Sequence, residues 1–75
     1  MNYRYRVELV TLRDITEFVA NINNVPYRVD LTNGDGTYVV SAKSLIGAIA
    51  TADWRDTWVV SDSSDVYNLV KKWVR

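Results

Sequence analysis

Residues 27–40 read Tyr-Arg-Val-Asp-Leu-Thr-Asn-Gly-Asp-Gly-Thr-Tyr-Val-Val and predict a β-hairpin in the middle of the chain. From Tyr27 to Leu31 apolar and polar residues alternate, which is the pattern of a strand with one buried face. The Asn-Gly-Asp-Gly segment at 33–36 supplies residues that tolerate positive φ, as tight hairpin turns require. The returning strand then covers residues 38–40.

Amphipathic segments lie on both sides of this hairpin. Before it, Thr11 and Asp14 fit a capping box that opens a helix, and apolar residues follow at helical spacing: Leu12, Ile15, Phe18, Val19 and Ile22. After it, Ser44 is a natural N-cap for a short helix that runs to about Ala50. Near the C-terminus a last helix is predicted from one apolar stripe, made of Val66, Leu69, Val70, Trp73 and Val74.

Two outer strands complete the pattern, one alternating from Tyr3 to Leu9 and one compact strand at residues 57–60. The order is β-α-β-β-α-β-α in a single domain, residues 1–75. Strands with one apolar face pair with helices laid over that face. We therefore expect an α+β fold, an open-faced sandwich in which three helices cover one face of a four-stranded antiparallel sheet.

Several side chains are assigned to the two faces of this sheet. The wet face is expected to hold cross-strand charge pairs among Arg4, Arg6, Glu8, Arg28 and Asp30. Trp58 and Trp73 are expected in the core, because large aromatic side chains contribute most when they are buried.

Composition excludes several kinds of chemistry. The 75 residues include no His and no Cys, and nine basic residues balance nine acidic ones. Disulfides, Cys–His nucleophiles and His acid–base catalysis are therefore excluded. We expect a non-enzymatic protein without metal or cofactor. The zero net charge argues against a nucleic-acid partner. Without a signal-type start or a long apolar run, we expect a cytoplasmic chain with no membrane partner.

The segment Val-Ser-Ala-Lys-Ser-Leu-Ile-Gly-Ala-Ile at residues 40–49 resembles HPr, the phosphocarrier of the bacterial sugar phosphotransferase system. The order of the elements and the chain length fit the same family, whose fold is the open-faced sandwich expected above. The Lys-Ser-apolar-apolar-Gly stretch corresponds to the family's regulatory serine region, with Ser44 at the serine. The resemblance implies phosphorylation of Ser44 by an HPr-type kinase.

The chain departs from HPr at the position of the phosphoacceptor. In the family a His-Ala-Arg-Pro motif opens the first helix, and here Thr11, Leu12, Arg13 and Asp14 stand in its place. A phosphohistidine relay is impossible in a chain without His. The closer comparison is an HPr paralogue that has lost this His and kept its regulatory serine.

Two residues at the start of the first helix have competing interpretations. Thr11 is either a plain N-cap or a substitute phosphoacceptor, and we favour the cap because a threonine phosphate ester would not pass its phosphate onward. Arg13 matches the family's arginine beside the phosphoryl group and is a candidate for an anion site. The alternative, which we favour, is a surface arginine paired with Asp14 or Glu17.

The second helix carries the strongest candidates. Ser44 can be both a cap and a phosphorylation site. Leu45, Ile46 and Ile49 crowd a helix too short to bury them all, so part of the set is core and part is open to a partner. We expect Ala48 and one isoleucine in the core, and Trp54 as an extension of the exposed part.

The sequence thus predicts a non-catalytic HPr-like regulatory module that binds another protein through Leu45, Ile46 and Ile49, with Arg13 and Ser44 beside them. Two alternatives remain open. One is a phosphotransferase-system carrier that uses a hydroxyl acceptor. The other is a small assembly domain, including a homodimer formed through the second helix or through an open strand edge.

Overall fold

The computed structural model describes residues 3–75, and in this part of the chain four strands and three α-helices share one core. Met1 and Asn2, the first residues of the predicted domain, lie outside the described residues. The strands are β1 (Tyr3–Val7), β2 (Val29–Thr32), β3 (Val39–Ser41) and β4 (Thr57–Ser61). The helices are α1 (Leu12–Ile22), α2 (Leu45–Ala50) and α3 (Val66–Val70), and a 3₁₀ turn (Thr51–Asp53) follows α2.

The sheet is antiparallel throughout and its strand order is β1-β4-β2-β3. Because side chains alternate along a strand, one face receives the apolar residues of each central strand. Val29 and Leu31 of β2 and Val59 of β4 are fully buried there. The core therefore packs on the apolar face of the central strands β2 and β4.

All three helices contribute to the same core as this apolar face. Ile15, Phe18 and Ile22 of α1 are buried at helical spacing, and Val66 and Val70 of α3 join them. The α+β open-faced sandwich predicted from the element order is confirmed. The bounds of α1 and α2 also match the prediction, because in each case a side chain caps the first turn.

The end of the chain differs from the prediction, since α3 stops at Val70 instead of continuing to Val74. Trp73 is buried and packs edge-on against Phe18, with ring centroids 5.5 Å apart. The Glu8 N–H donates to the Trp73 carbonyl at 2.9 Å, and the Arg75 N–H donates to the Arg6 carbonyl at 3.0 Å. These bonds satisfy backbone groups on the outer edge of β1 that a longer helix would leave unpaired.

Trp58 does not lie in the core, contrary to the prediction. Its neighbours Thr57 and Val59 are buried on the helix side, so Trp58 points to the opposite, open face and is half-buried. The Arg4 guanidinium lies 4.5 Å from the centroid of its ring, and its indole N–H donates to the Asp56 carboxylate at 3.0 Å. Covered in this way, the ring remains on the solvent side of the sheet.

The expected cross-strand charge pairs on the open face are also wrong. Arg28 pairs with Asp30, two residues along the same segment, at 2.7 Å. Arg4 donates instead to the Gly34 carbonyl at 2.7 Å, and Glu8 lies 3.5 Å from Arg75 near the C-terminus. Backbone acceptors and the C-terminal segment, which periodicity does not place, provide the nearer partners.

Candidate functional site

The start of α2 is built around Ser44. The backbone there is extended (φ −97°, ψ 119°), and the Ser44 hydroxyl accepts a hydrogen bond from the Gly47 N–H at 3.2 Å. This bond satisfies one of the free donors of the first helical turn. Ser44 is therefore the predicted N-cap, and the residue is exposed at the surface.

The solvent side of α2 is apolar. Exposed fractions are 43% for Leu45, 83% for Ile46 and 42% for Ile49. Ile49 lies three and four positions after the other two, so the three side chains share one helix face. The helix itself contains no charged residue. The residues predicted for partner binding therefore form an exposed apolar face, which we call the α2 surface.

The buried side of α2 is lined by its small residues. Ala48 is fully buried, as expected, but the prediction that one isoleucine joins it is wrong. A Cβ atom added at Gly47 would lie 3.2 Å from the Cβ of Val40, so the helix backbone approaches β3 closely at this point. Because α2 rests on the core through Gly47 and Ala48, both isoleucines are directed outward.

The start of α1 is closed by its own side chains. Thr11 and Asp14 form the capping box: the Thr11 hydroxyl accepts the Asp14 N–H at 3.1 Å, and the Asp14 carboxylate accepts the Thr11 N–H at 3.2 Å. The same carboxylate accepts the Val10 N–H at 3.2 Å. Thr11 is thus the predicted cap, and the anion at this helix N-terminus is the carboxylate of Asp14.

The hydrogen bonds at Asp14 lower the pKa of its carboxyl group. The Thr11 N–H contributes most, while partial desolvation acts in the opposite direction and the Val10 N–H adds to the lowering. The indole N–H of Trp73 also lowers the pKa of Asp14. This N–H is buried, and it forms no hydrogen bond with any acceptor in residues 3–75. The carboxylate is therefore stabilised in its ionised form.

Arg13, the candidate for an anion site, forms an ion pair with Glu17 at 3.2 Å, one helical turn further on. Glu17 also accepts a bond from Lys72 at 2.8 Å. Lys72 first and Arg13 second lower the pKa of the Glu17 carboxyl group. Arg13 is thus engaged in the way that the paired-arginine interpretation describes, and its side chain remains highly exposed.

Sequence periodicity missed two exposed apolar residues next to this cap. Helical spacing predicts Leu12 in the apolar stripe of α1, but 63% of it is exposed, and Val10 just before the helix is 75% exposed. Leu12 precedes the first buried residue, Ile15, by three positions, yet as the first residue of the helix it stays largely exposed. Since α1 packs against α2, apolar exposure occurs on both neighbouring helices.

Trp54 lies against the hairpin. Its ring stacks on Tyr38 with centroids 6.3 Å apart and an interplanar angle of 18°. The two rings line a recess of about 500 Å³ together with the hairpin turn and with Asp53, Arg55 and Asp56. Trp54 is half-buried and also packs against the core. It therefore joins the core to the hairpin, and its role as an extension of the α2 surface stays a prediction.

The described residues hold no group of three or more acidic side chains placed to bind a metal ion. Asp56, one of the loop acids, is used structurally: it accepts the Gly34 N–H at 3.2 Å as well as the indole N–H of Trp58.

In residues 3–75 no helix is both long and apolar enough to cross a membrane.

Comparison with known proteins gives no match for this chain, either among models of protein families or among curated sequences. The candidate site therefore rests on its own geometry: a capped apolar helix, with a second exposed apolar pair at the start of the adjacent helix.

Proposed function

We propose that this protein is a non-catalytic, HPr-like interaction module that binds another protein through the α2 surface. The observation that carries the proposal is the outward orientation of Leu45, Ile46 and Ile49 on a helix that buries Ala48. Exposure of grouped apolar side chains is unfavourable in water, and such groups on a folded protein are typical of contact sites.

The size of this surface favours a partner that dissociates readily. A standard protein interface buries about 800 Å² on each side, which would be a sizeable share of the 4763 Å² that the folded chain exposes. Three partly exposed side chains on a helix of six residues cover only the centre of such an interface. Charged and polar residues around these three side chains would form its rim.

Phosphorylation of Ser44 is the proposed regulation, as the resemblance to HPr implies. Ser44 is exposed and precedes Leu45 directly, so a phosphate there would place about two negative charges beside the apolar surface. A phosphate oxygen could also accept the Gly47 N–H that the hydroxyl now accepts. The modification would thus change what the α2 surface binds without removing the helix cap.

Binding is tested by capture of partners from the host cell on wild-type, Ile46→Asp and Ile49→Asp proteins. Asn68→Asp adds the same charge at an exposed position of α3 and serves as the control. A protein retained by wild type and control should then be purified, and its affinity for each variant should be measured by calorimetry. We expect at least a tenfold loss with either isoleucine variant, equal to about 1.4 kcal/mol. Equal affinity for all four proteins would refute the α2 surface.

Regulation is tested by intact mass after incubation with ATP and the host's HPr kinase. We expect the wild type to gain one phosphoryl group and Ser44→Ala to gain none. Ser41→Ala, which removes another exposed hydroxyl three residues earlier, should behave like the wild type. Absence of a mass gain in the wild type would remove Ser44 from the proposal and leave partner binding to be judged by the capture experiment.

A further inference from the structure

The two edge strands of the sheet, β1 and β3, differ in whether their outer backbone groups have partners. On the outer edge of β1, Val7 forms a bridge with Val74, and the backbone of residues 73–75 bonds to β1 and the residue after it. At the other edge, β3 pairs with β2 alone among the elements of residues 3–75. The C-terminal segment thus covers the end of β1 nearest Val7, and among the described residues the opposite edge of the sheet is open.

The hydrogen-bond pattern identifies which backbone groups face outward from β3. The Tyr38 carbonyl accepts the Asn33 N–H at 3.3 Å, and the Ala42 N–H donates to the Val29 carbonyl at 3.0 Å. Bonds to one neighbour come from every second residue of an antiparallel strand. The backbone N–H and C=O groups of Val39, and the N–H of Ser41, therefore point away from β2.

The open edge is short, since β3 has three residues, but it carries neither a charged side chain nor a proline. Residues 37–41 are Thr-Tyr-Val-Val-Ser, with no charge and no proline, although lysine, proline or a bulge commonly guards such an edge. The β-branched and aromatic residues favour an extended strand. Tyr38 and Val39 also have more than half of their surface exposed.

We propose that β3 pairs antiparallel with β3 of a second copy, so that the sheet continues across a two-fold axis at Val39. In this register each Val39 N–H donates to the Val39 carbonyl of the other copy, and Ser41 lies opposite Thr37. The arrangement also brings the turn that holds Asp35 toward the segment that holds Lys43 of the other copy. The Lys43 ammonium donates to the Val25 carbonyl of its own chain at 2.6 Å, so its attraction to Asp35 acts at longer range and the backbone bonds carry the pairing.

The dimer is distinct from the proposed function, because β3 and the α2 surface use different residues. A strand of three residues contributes few hydrogen bonds and little area compared with a standard interface. The association is therefore reversible and depends on concentration. It leaves Ile46 of each copy available to another protein.

Sedimentation velocity from micromolar to millimolar concentration tests the dimer. The wild-type sedimentation coefficient should rise with concentration from the monomer value toward the dimer value. Val39→Pro removes one outward N–H without removing a bond to β2, and Val39→Lys places like charges opposite each other. Both variants should remain at the monomer value. Ile46→Asp is the control and should dimerise as the wild type does.

Amide exchange gives a second readout that does not depend on substitution. The Val39 N–H should exchange more slowly at high concentration, while exchange of the Val40 N–H, which faces β2, should not change. A wild type that is monomeric at millimolar concentration overturns the proposal. So does a dimer that persists in Val39→Lys or disappears in Ile46→Asp. If circular dichroism shows Val39→Pro to be unfolded, Val39→Lys and the exchange data decide.

Discussion

Gly36 closes the hairpin turn with a positive φ of 79°, the one such backbone conformation among residues 3–75. An added Cβ atom would meet no other atom within 4 Å, so a substitution there changes backbone strain and nothing else nearby. Left-handed backbone costs an ordinary L-residue roughly 1–2 kcal/mol, and asparagine tolerates it better than most.

We therefore predict that Gly36→Ala lowers the free energy of unfolding by about 1 kcal/mol. Gly36→Asn should cost clearly less, because its side chain can bond locally in this conformation. Urea unfolding followed by tryptophan fluorescence measures both. Equal costs for the two variants would show that loss of the glycine affects the turn by something other than the sign of φ.

Residue-scale features set by neighbours in the chain were predictable. Thr11 and Ser44 both cap helices, because an N-cap needs only its own side chain and the next three residues. Trp58 and Leu12 were placed wrongly. Hydrophobicity indicates that a side chain gains from burial, but which face of an element is covered depends on packing between elements.

At the scale of elements, α2 separates a buried from an exposed side within six residues. Its buried side is made of Gly47 and Ala48, and its exposed side contains every large residue it has. The sequence predicts that the helix cannot bury all of its apolar residues. It does not show that the helix rests on the core through its smallest ones, since this follows from the close approach of Gly47 to Val40.

This arrangement predicts that a charge lowers the free energy of unfolding on the buried side of α2 and leaves it almost unchanged on the exposed side. Ala48→Asp buries a carboxylate without a partner and should destabilise the fold by about 3 kcal/mol or more. Ala50→Asp, the same change at an exposed position of the same helix, should stay within about 0.5 kcal/mol of the wild type, as should Ile46→Asp. Thermal unfolding by circular dichroism compares the three. A large loss for Ile46→Asp would mean that its side chain stabilises the monomer and is not free for a partner.

At the scale of the whole molecule, the element order was sufficient to predict the layer architecture. Alternating strands and amphipathic helices have few ways to bury their apolar faces in a short chain. The covered edge at β1 and the open edge at β3 were beyond the sequence, because strand order and the path of the last residues are set by long-range pairing. The prediction of cross-strand charge pairs was wrong for the same reason, because the observed partners lie on segments that periodicity does not bring together.

The ionisable groups of the whole fold determine how its stability changes with acid. Lys72 and Arg13 lower the pKa of Glu17, the capping-box bonds lower that of Asp14, and bonds from Thr37 lower that of Asp35. Each folded-state pKa lies below the unfolded value, so the stabilisation is present above that unfolded value and is lost as pH falls through the folded one. We expect the urea concentration at the midpoint of unfolding to decrease once the pH is lowered below about 4. Asp14→Asn should show a shallower fall, whereas Asp62→Asn, at an exposed loop position, should follow the wild type.

Alkaline pH should destabilise the fold through Tyr27. Burial first, and the charge of Asp65 second, raise the pKa of this phenol above its ordinary value of 10.0. A raised pKa means that the stabilising contribution is complete below the unfolded value and is lost as pH rises through the folded one. Tyr27→Phe cannot ionise, so its urea midpoint should fall less than that of the wild type above pH 10. Tyr3→Phe, which alters a more exposed phenol, is the control. If both variants lose stability in parallel with the wild type, ionisation of the Tyr27 phenol does not cause the loss of stability at alkaline pH.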